Sequence, residues 1–590
     1  MEANMKKLVL TAVTTLMAIC INAAPALRGL FTVEQPDGTL LSIEQFGDEY
    51  HHWTATSDGT LVVNTGHGYY VAQIDETGEL AASALLAHEP AQRKEGELLL
   101  CREQRQRMAL FASHARRMAS ASRRAQVTST TYFPHTGSPR CLVILVNFSD
   151  VTFSSDNPAA QFEQYFNGEE QQDLGHNETK NLLSVKNYFK LSSGGKFTPQ
   201  FTIVGPVNLP QTQEYYGKDS GGVIDPNFTQ FCKDAVAAVD EQTDFRDYNN
   251  NTGDNNVELV CIIYAGYGQS VTGNGDETIW PKCAYRNIET NDGVNITYLN
   301  CSPELFRKST GTDINGIGLF THEFSHGMGL PDLYQSGNYV DNQGMGVWDL
   351  MDYGCYNYNG YAPSHYTAWE REAMGWISME AINDAGQITG LKPVEEGGKA
   401  CKIVNPDNES DYIVLENIQQ RGANQKAYGH GLLAYHVAYP RSSVGMGDNP
   451  NNTAGRPAIA VVPAGGKFIN VYLVGEGEGK HTVDEWAASI FSSPFPGTGN
   501  VTSLSDDMAL PNYCFYEGIS GRKPVGYTLS GITEDNLGDI SFTIGEATDV
   551  TPLQVRLEET SAAYFDLQGR RIANPTRGFY IRNGRKVVVR

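Results

Sequence analysis

Two histidines and two carboxylates fall close together in the segment Thr321-His-Glu-Phe-Ser-His-Gly-Met-Gly-Leu-Pro-Asp332. On a helix, His322 and His326 would share one face, because residues four apart are neighbours there, so both imidazoles could bind one metal ion. Glu323 directly follows the first histidine and would reach a water beside the ion rather than the ion itself. This spacing predicts metal-assisted hydrolysis with Glu323 as the general base and acid.

The residues after the second histidine indicate a third ligand. Gly329 would let the chain leave the helix with a positive φ, and Pro331 would prevent the helix from continuing. Asp332 could then fold back toward the two imidazoles. Three protein ligands leave one coordination position open, which is typical of a catalytic zinc site and not of a closed structural one.

A second motif, Trp348-Asp-Leu-Met-Asp-Tyr-Gly354, follows Asp332. The two motifs together, H-E-x-x-H-x-x-G-x-x-D and W-D-x-M-x-Y-G, resemble those of the immune inhibitor A group of bacterial secreted metalloproteases, peptidase family M6, which is classed within or beside the metzincins. The resemblance covers roughly residues 27 to 440 and includes Arg140–Asp150, Asn187-Tyr-Phe, Ser192–Lys196, Ile279-Trp-Pro281, Ala368–Trp376, Glu416-Asn, Gly431-Leu-Leu and, in the family's propeptide, Pro36–Thr39 and Gly47–Glu49.

The resemblance implies a role for each matching residue. The two histidines of the motif and Asp332 would bind Zn²⁺, and Glu323 would be the general base and acid. Met351 would lie beneath the metal as the floor of a Met-turn. Tyr353 would stand where some metzincins place a catalytic tyrosine near the metal and the transition-state oxyanion; a packed or substrate-lining tyrosine is the alternative.

Apolar runs predict the elements that must position these residues. Cys141–Val146 and Leu259–Tyr264 are continuous apolar runs, typical of strands buried on both faces. Phe228–Val239 has apolar residues at helical spacing, and the chain beyond Trp376 is rich in strand-forming residues. With the resemblance, these patterns predict an α+β fold. Its parts would be a metzincin-like catalytic domain (a twisted mixed sheet plus the active-site helix), a β-rich N-terminal propeptide and β-sandwich-like C-terminal domains.

We predict five segments along the chain: a signal peptide (1–26), a propeptide with a basic linker (27–130), a zinc metalloprotease catalytic domain (131–390), one or more β-rich downstream domains (391–547) and a C-terminal sorting-like module (548–590). The first segment opens with Lys6 and Lys7, continues with a short apolar core and ends in small residues, which is typical of a secretory signal peptide cut between Ala23 and Leu27. A membrane anchor would need about 20 apolar residues. No later stretch is long and apolar enough to span a membrane, so the protein is expected to be secreted or at the cell surface.

Two basic segments interrupt an otherwise acidic chain. The arginine-rich stretch 91–126 predicts a protease-sensitive connector behind a removable N-terminal module, with a solvated helix and linker as the alternative. The tail from Tyr564 is similar to C-terminal sorting modules of Bacteroidetes exported proteins. That similarity implies outer-surface attachment or removal of the tail; a structural hairpin without a sorting function is the alternative.

The net charge of the chain limits the classes of molecule that it is expected to bind. The chain has 590 residues, with 44 Lys and Arg against 68 Asp and Glu, for a formal net charge of −24. So acidic a surface repels phosphate backbones, which argues against nucleic acid and leaves protein or peptide substrates as the expected partners.

Other residues are candidates for further metal sites. Asp247–Glu258 lies where relatives often carry a calcium-type loop, and its oxygen side chains suit Ca²⁺, although asparagines replace several aspartates and a plain polar loop is the alternative. His430 and His436 are expected to be core or surface histidines and not a second metal site. His365 could reach the cleft or pack elsewhere.

Cysteine usage permits disulfides without specifying them. Of ten cysteines, Cys20 lies in the predicted signal peptide, which leaves nine, so at least one stays free. Cys101 is the expected free thiol, and it could cap the zinc before activation because thiolate is a good zinc ligand.

These observations predict a secreted zinc-dependent endopeptidase that is made as a zymogen and hydrolyses peptide bonds of proteins. The alternative is an adhesive or binding surface protein whose metalloprotease-like domain is inactive, and the intact set of Glu323 and three ligands argues against it. A third interpretation keeps the zinc and restricts the substrate to one host protein.

Overall fold

The structure is a computed structural model that describes residues 21–22, 27, 29–47, 52–76, 78–121, 131–169, 181–251, 253–271, 273–335, 342, 344–439, 444–475, 479–517, 521–546, 564–565, 571–572, 578–582 and 585–589. The fold is mixed α+β, with several sheets and few helices. The chain divides into two compact units, residues 1–544 and 545–590. The predicted signal-peptide core and cleavage site fall largely on residues outside the described ranges. Among the helices that the structure describes, none is both long and apolar enough to cross a bilayer.

An antiparallel six-stranded meander forms the N-terminal region, after a two-residue strand β1 (Ile21–Asn22). Its strands, in spatial order, are β2 (Phe31–Glu34), β3 (Leu40–Gly47), β4 (His52–Thr56), β5 (Leu61–Asn64), β6 (Tyr69–Ile74) and β7 (Leu80–Leu86). Helix α1 (Glu95–Ala121) follows and buries Cys101 and Phe111 against the sheet. Most of the basic stretch 91–126 is therefore helical, and its last part, 122–126, lies outside the described residues.

The helix is tied to the meander by side chains that satisfy strand backbone groups. Gln104 accepts from the Leu61 amide at 2.8 Å and donates to the carbonyls of Leu61 and Ala72 at 2.8 and 2.9 Å. Arg107 donates to the Ile74 carbonyl at 2.7 Å. Arg107 is thus part of the N-terminal module and not of an open connector.

The second sheet has six strands in the order β1-β11-β12-β10-β8-β9. Strands β8 (Arg140–Asn147), β9 (Gln200–Asn208), β10 (Asn256–Tyr267) and β12 (Asn295–Leu305) run parallel, and β11 (Lys282–Glu289) runs antiparallel to β12. The apolar runs predicted as buried strands are confirmed: Cys141–Val146 and Leu259–Tyr264 are at most 1% exposed.

Helices lie on both faces of this sheet, namely α2 (Pro158–Asn167), α3 (Val185–Ser192), α4 (Gln213–Gly217), α5 (Phe228–Ala237) and α6 (Ile317–Gly327). Helix α5 ends at Ala237, two residues before the end that the apolar spacing predicted. The core on one face contains Phe324 from α6 with Phe189 from α3, and that on the other contains Phe231 from α5. The sheet and α3 therefore support the helix that carries the histidine motif.

The chain then passes through α7 (Ala368–Ala373) into a β-rich region that includes one further helix, α8 (Val483–Phe491). Its strands are β13 (Glu380–Ala381), β14 (Gly386–Leu391), β15 (Cys401–Asn405), β16 (Asn408–Ile418), β17 (Gly431–Ala438), β18 (Ile459–Val461), β19 (Ser503–Leu504), β20 (Phe515–Glu517), β21 (Gly521–Lys523), β22 (Tyr527–Glu534) and β23 (Ile540–Glu546). A five-stranded sheet, β13-β15-β16-β17-β18, and a four-stranded sheet, β14-β23-β22-β19, share one apolar core that includes Ile413 and Phe542. A separate hairpin pairs β20 with β21.

The second unit contains an antiparallel sheet of β24 (Tyr564–Phe565), β25 (Arg571–Ile572), β26 (Gly578–Arg582) and β27 (Arg585–Val589), in the order β25-β24-β26-β27. The nine cysteines from Cys101 to Cys514 are all free thiols, and eight of them are buried.

Candidate metal centre

Helix α6 is held close to the segment that follows the second motif because two glycines, one in the helix and one at its N-cap, lack side chains. A Cβ on Gly318 would lie 2.0 Å from the Cys355 carbonyl oxygen, and one on Gly316, the N-cap, would lie 2.2 Å from the Gly360 carbonyl carbon. Any larger residue would therefore push the helix away. This close approach fixes the histidine helix against residues 353–360.

Each histidine of the motif is oriented by a backbone carbonyl. His322 Nδ1 donates to the Leu350 carbonyl, and His326 Nδ1 donates to the Leu330 carbonyl, both at 2.8 Å. A carbonyl only accepts, so Nδ1 carries the proton in each neutral ring and Nε2 is left with its lone pair. Metal-binding histidines typically donate their other ring N–H to a backbone carbonyl or a carboxylate in this way.

The third predicted ligand meets these lone pairs. Gly329 has a φ of +101°, as its place after the helix predicted, and the chain then returns toward α6. The Asp332 Oδ1 atom lies 3.2 Å from each Nε2 atom, and the two Nε2 atoms are 3.2 Å apart. In the described part of the chain, these three residues are the one group of His, Cys, Asp or Glu side chains close enough to share a metal ion.

The donor atoms fit a tetrahedral zinc ion. With zinc–ligand bonds of about 2.0–2.1 Å, tetrahedral geometry places two ligand atoms about 3.3 Å apart, close to the 3.2 Å edges of this triangle. Two lone pairs and a carboxylate oxygen would repel one another at this distance without a cation. Two imidazoles and one carboxylate also match the ligand chemistry of catalytic zinc sites.

Protonation favours metal binding as well. Burial lowers the pKa of His322, which keeps its ring neutral. Burial would raise the pKa of Asp332, but interactions with His326 and His322 in their protonated forms outweigh it and hold the pKa below its usual value. A neutral imidazole and an ionised carboxylate are the states that a metal requires.

The turn that carries Met351 supports the helix and the third ligand together. The Leu350 carbonyl holds His322, and the next carbonyl, that of Met351, accepts from the Leu333 amide at 2.8 Å. Met351 is fully buried, and its own amide donates to Asp349 Oδ1 at 2.7 Å. Consecutive residues of this turn therefore position a histidine and the residue next to Asp332.

Beneath the turn lies a buried carboxyl pair that sequence reasoning missed. Asp349 and Glu370 are both fully buried, and each lies within hydrogen-bond reach of Thr367 Oγ1, at 3.4 and 3.0 Å. Burial raises the pKa of Asp349 well above its ordinary value, with Glu370 adding to the effect, and burial raises the pKa of Glu370 to about 7. The pair therefore keeps a proton at neutral pH.

Tyr353 lies near the centre but is not part of the ligand triangle. Its side chain is 8% exposed, and its ring centroid is 5.3 Å from that of Tyr356. It lines a small cavity together with Tyr334, whose ring centroid is 6.5 Å from that of His322, and with Phe468 of the downstream region. The cavity therefore joins the surroundings of the metal centre to Tyr353.

The candidate centre is inaccessible in the full chain. His322, Glu323 and His326 are 0% exposed and Asp332 is 2% exposed. Leu27 packs into the same core, and its amide donates to the Ser270 carbonyl at 2.8 Å.

The N-terminal meander makes further contacts with the catalytic region. The His52 Nε2 atom lies 3.3 Å from Asp219 Oδ2, and Asn64 Nδ2 donates to Asp276 Oδ1 at 3.1 Å. The N-terminal region therefore packs on the loops that precede β11.

The other predicted metal positions do not gather ligands. Both Glu258 oxygens accept N–H groups of Asn250 and Asn251, at 2.8–3.3 Å, so protein donors occupy the position that Ca²⁺ would need. A calcium site in this loop has no support. His430 and His436 have different partners: His430 pairs with Glu534 at 2.7 Å, and His436, which is buried, pairs with Asp411 at 2.7 Å.

The two remaining candidates also lie elsewhere. His365 is buried with Nδ1 2.8 Å from Ser192 Oγ, and its ring stacks on Tyr188 at 5.0 Å. Burial lowers the pKa of His365 to about 4. Cys101 lies in the core of the N-terminal module, 3.7 Å from Thr60 Oγ1, and is absent from the candidate metal group.

The donor set and the helix that carries it are typical of a metallopeptidase catalytic domain. Residues 129–377 match the family described as Immune inhibitor A peptidase M6, catalytic domain. The chain is similar to Immune inhibitor A of Bacillus thuringiensis subsp. alesti, with 23% identity over 271 residues, which is 40% of this chain and 39% of that protein. It is also similar to Pre-pro-metalloprotease PrtV of Vibrio cholerae serotype O1 (strain M66-2), with 21% identity over 233 residues, 35% of this chain and 25% of that protein. The matches thus span well under half the length of these relatives.

Proposed function

We propose that the chain is a secreted zinc-dependent endopeptidase that hydrolyses peptide bonds of proteins. The observation that carries this proposal is the triangle of three candidate ligand atoms, 3.2 Å on each side, two of which belong to the helix that also carries Glu323. The M6 match over residues 129–377 supports the reaction class. The metzincin-like description of the catalytic domain is part of the same proposal.

His322, His326 and Asp332 would hold the zinc. When bound, zinc polarises a substrate carbonyl and lowers the pKa of a coordinated water. Glu323 follows His322 on α6 and would take a proton from the attacking water, then hand it to the leaving amine. Tyr353 would donate a hydrogen bond to the carbonyl oxygen as negative charge develops there.

We also propose that the enzyme is made as a zymogen. The support is the burial of the whole centre in the full chain, with exposures of 0–2% for the ligands and Glu323, and the packing of the N-terminal module on the loops before β11. Removal of the N-terminal module, after cleavage within residues 122–130, would open the centre. The secretory signal in residues 1–26 and surface attachment through residues 548–590 complete the proposal.

The experiment combines metal analysis with cleavage profiling. The chain, with and without its N-terminal module, is assayed for bound zinc and for cleavage of casein, and the products are identified by mass spectrometry. We expect about one zinc per chain and chelator-sensitive cleavage after the module is removed. Bound zinc without casein cleavage would contradict a general endopeptidase and favour an enzyme restricted to one substrate. Absence of both zinc and cleavage would contradict the proposal and favour a binding protein.

A further inference from the structure

The residue that follows the third candidate ligand is held by an asparagine from the downstream β region. Asn451 donates from Nδ2 to the Leu333 carbonyl at 2.6 Å and to the Ile459 carbonyl at 2.9 Å, and its Oδ1 accepts from the Ile459 amide at 3.0 Å. Its side chain is 0% exposed. Both amide protons are therefore used to join Leu333 to strand β18, in surroundings where water cannot replace a lost bond.

Both backbone polar groups of Leu333, its amide and its carbonyl, form hydrogen bonds. Its amide donates to the Met351 carbonyl at 2.8 Å, and its carbonyl accepts from Asn451. On the other side of Asp332, the Leu330 carbonyl accepts from His326. The main chain is thus held just before and just after Asp332, which limits where its carboxylate can point.

A second asparagine makes the reciprocal connection. Asn342 follows Leu333 in the chain and donates from Nδ2 to the carbonyls of Asn451 and Thr453, at 2.6 and 2.7 Å. Its Oδ1 accepts from the Gly455 amide at 2.9 Å, and its side chain is 1% exposed. The loop after the ligand and the turn that carries Asn451 therefore hold each other through buried amides.

These contacts cross the boundary of the family-matched segment. Asn451 is separated from Leu333 by 118 residues and lies outside residues 129–377. We propose that Asn451 is a positioning residue for the metal centre: it fixes the chain at Leu333 so that Asp332 stays at ligand distance from both imidazoles. This inference rests on the proposed zinc site, and it makes the downstream region part of the machinery that holds the metal.

The test compares zinc affinity in the full chain and in two asparagine variants, by competition with a chromophoric chelator. Outer partners of metal ligands contribute about 10–100-fold to metal affinity, so we expect Asn451→Ala to bind zinc at least about tenfold more weakly than the wild type. Replacement of zinc by Co²⁺ gives a second readout, because the visible spectrum of the ion reports the geometry of its ligands. We expect the Co²⁺ spectrum of Asn451→Ala to differ from that of the wild type.

Asn417→Ala is the matched control. Asn417 is also 0% exposed in the downstream region, and its Nδ2 donates to two carbonyls, those of Leu391 and Gly538, both at 2.8 Å. Its partners lie away from the metal ligands in sequence and in contacts. We expect Asn417→Ala to lose a similar amount of thermal stability while it keeps the wild-type zinc affinity and Co²⁺ spectrum.

The outcomes separate this inference from the proposed function. If the wild type binds no zinc, both the proposed metal site and the positioning role of Asn451 are overturned. If the wild type binds zinc and folded Asn451→Ala binds it equally well, or if both variants lose affinity equally, the positioning role alone is overturned. Should Asn451→Ala not fold, Asn342→Ala replaces it, and an affinity equal to that of Asn417→Ala would overturn the role.

Discussion

His322 and Leu350 are joined by a hydrogen bond of 2.8 Å from the imidazole Nδ1 to the backbone carbonyl. This bond fixes the proton on Nδ1 and so directs the Nε2 lone pair at His326 and Asp332. It also links the helix to the turn of the W-D-x-M-x-Y-G motif. The two sequence motifs are therefore parts of one site, since the second motif supplies the carbonyl that orients a residue of the first.

The carboxylate of Asp332 is expected to be essential for metal retention. Asp332→Asn keeps the size of the side chain but removes its negative charge. The amide oxygen that remains beside the two imidazoles is a weaker metal ligand than a carboxylate. We expect zinc affinity to fall by more than about tenfold, since even outer partners of ligands contribute that much. Metal analysis after dialysis against a weak chelator measures this, with Asp247→Asn, an exposed residue of the catalytic region, as the control. Equal zinc content in wild type and Asp332→Asn would remove Asp332 from the ligand set.

The proton shared by Asp349 and Glu370 predicts a pH dependence of stability. Because their pKa values are raised in the folded state, that of Glu370 to about 7, the folded chain holds a proton that the unfolded chain releases. This contribution is complete below the unfolded pKa near 4.5 and is lost as pH rises toward 7. Asp349→Asn keeps an N–H donor toward Glu370 at every pH.

We therefore expect the free energy of unfolding of the wild type to fall relative to that of Asp349→Asn between about pH 5 and pH 7, by on the order of 2 kcal/mol. Urea titrations of both proteins at several pH values measure the difference. Parallel stability curves for the two proteins would show that the carboxyl pair does not hold the proton.

Replacement of Tyr353 by phenylalanine distinguishes a catalytic role of this residue from a packing role. If its hydroxyl stabilises the developing oxyanion, Tyr353→Phe should lower kcat by about 10²-fold and leave KM and zinc content unchanged. Tyr356→Phe, at the neighbouring ring, is the control and should keep the wild-type kcat. Equal kcat values for wild type and Tyr353→Phe would assign Tyr353 to packing against the cavity that it shares with Phe468.

The buried centre predicts latency. A site for a specific protease, placed within residues 122–130, would allow the N-terminal module to be detached from the intact chain. We expect peptide hydrolysis to rise by at least about tenfold after cleavage and separation, because a site open less than about a tenth of the time is slowed by that factor. Full activity before cleavage would mean that the N-terminal module does not block the centre.

Local spacing allowed most of the candidate site to be predicted, since residues four apart on a helix meet whatever the rest of the chain does. Gly329 and Asp332 follow from the same segment, and the buried strands Cys141–Val146 and Leu259–Tyr264 from their apolar runs. The remaining contacts depend on tertiary packing. Nothing in the sequence around Asn451 indicates that it reaches Leu333 across 118 residues.

Two further features could not be predicted from the sequence, because they also depend on tertiary packing. The Asp349–Glu370 pair depends on burial that a motif does not report, although Asp349 lies within the second motif. The loop Asp247–Glu258 has oxygen-rich composition, but in the folded chain its amides bind Glu258 themselves. Amino-acid composition alone does not distinguish a set of metal ligands from a loop whose carboxylate already accepts hydrogen bonds from the loop's own N–H groups.

The proposed mechanism requires the Glu323 carboxylate as a proton acceptor, and a variant without that charge tests this requirement. Wild type, Glu323→Gln and a control, Glu258→Gln, are freed of the N-terminal module and assayed for zinc content and peptide cleavage. Glu258 is a buried glutamate near the start of strand β10. We predict about one zinc in each protein, near wild-type cleavage by Glu258→Gln, and a loss of about 10²–10⁴-fold in kcat for Glu323→Gln. Undiminished cleavage by zinc-loaded Glu323→Gln would contradict the proposed mechanism.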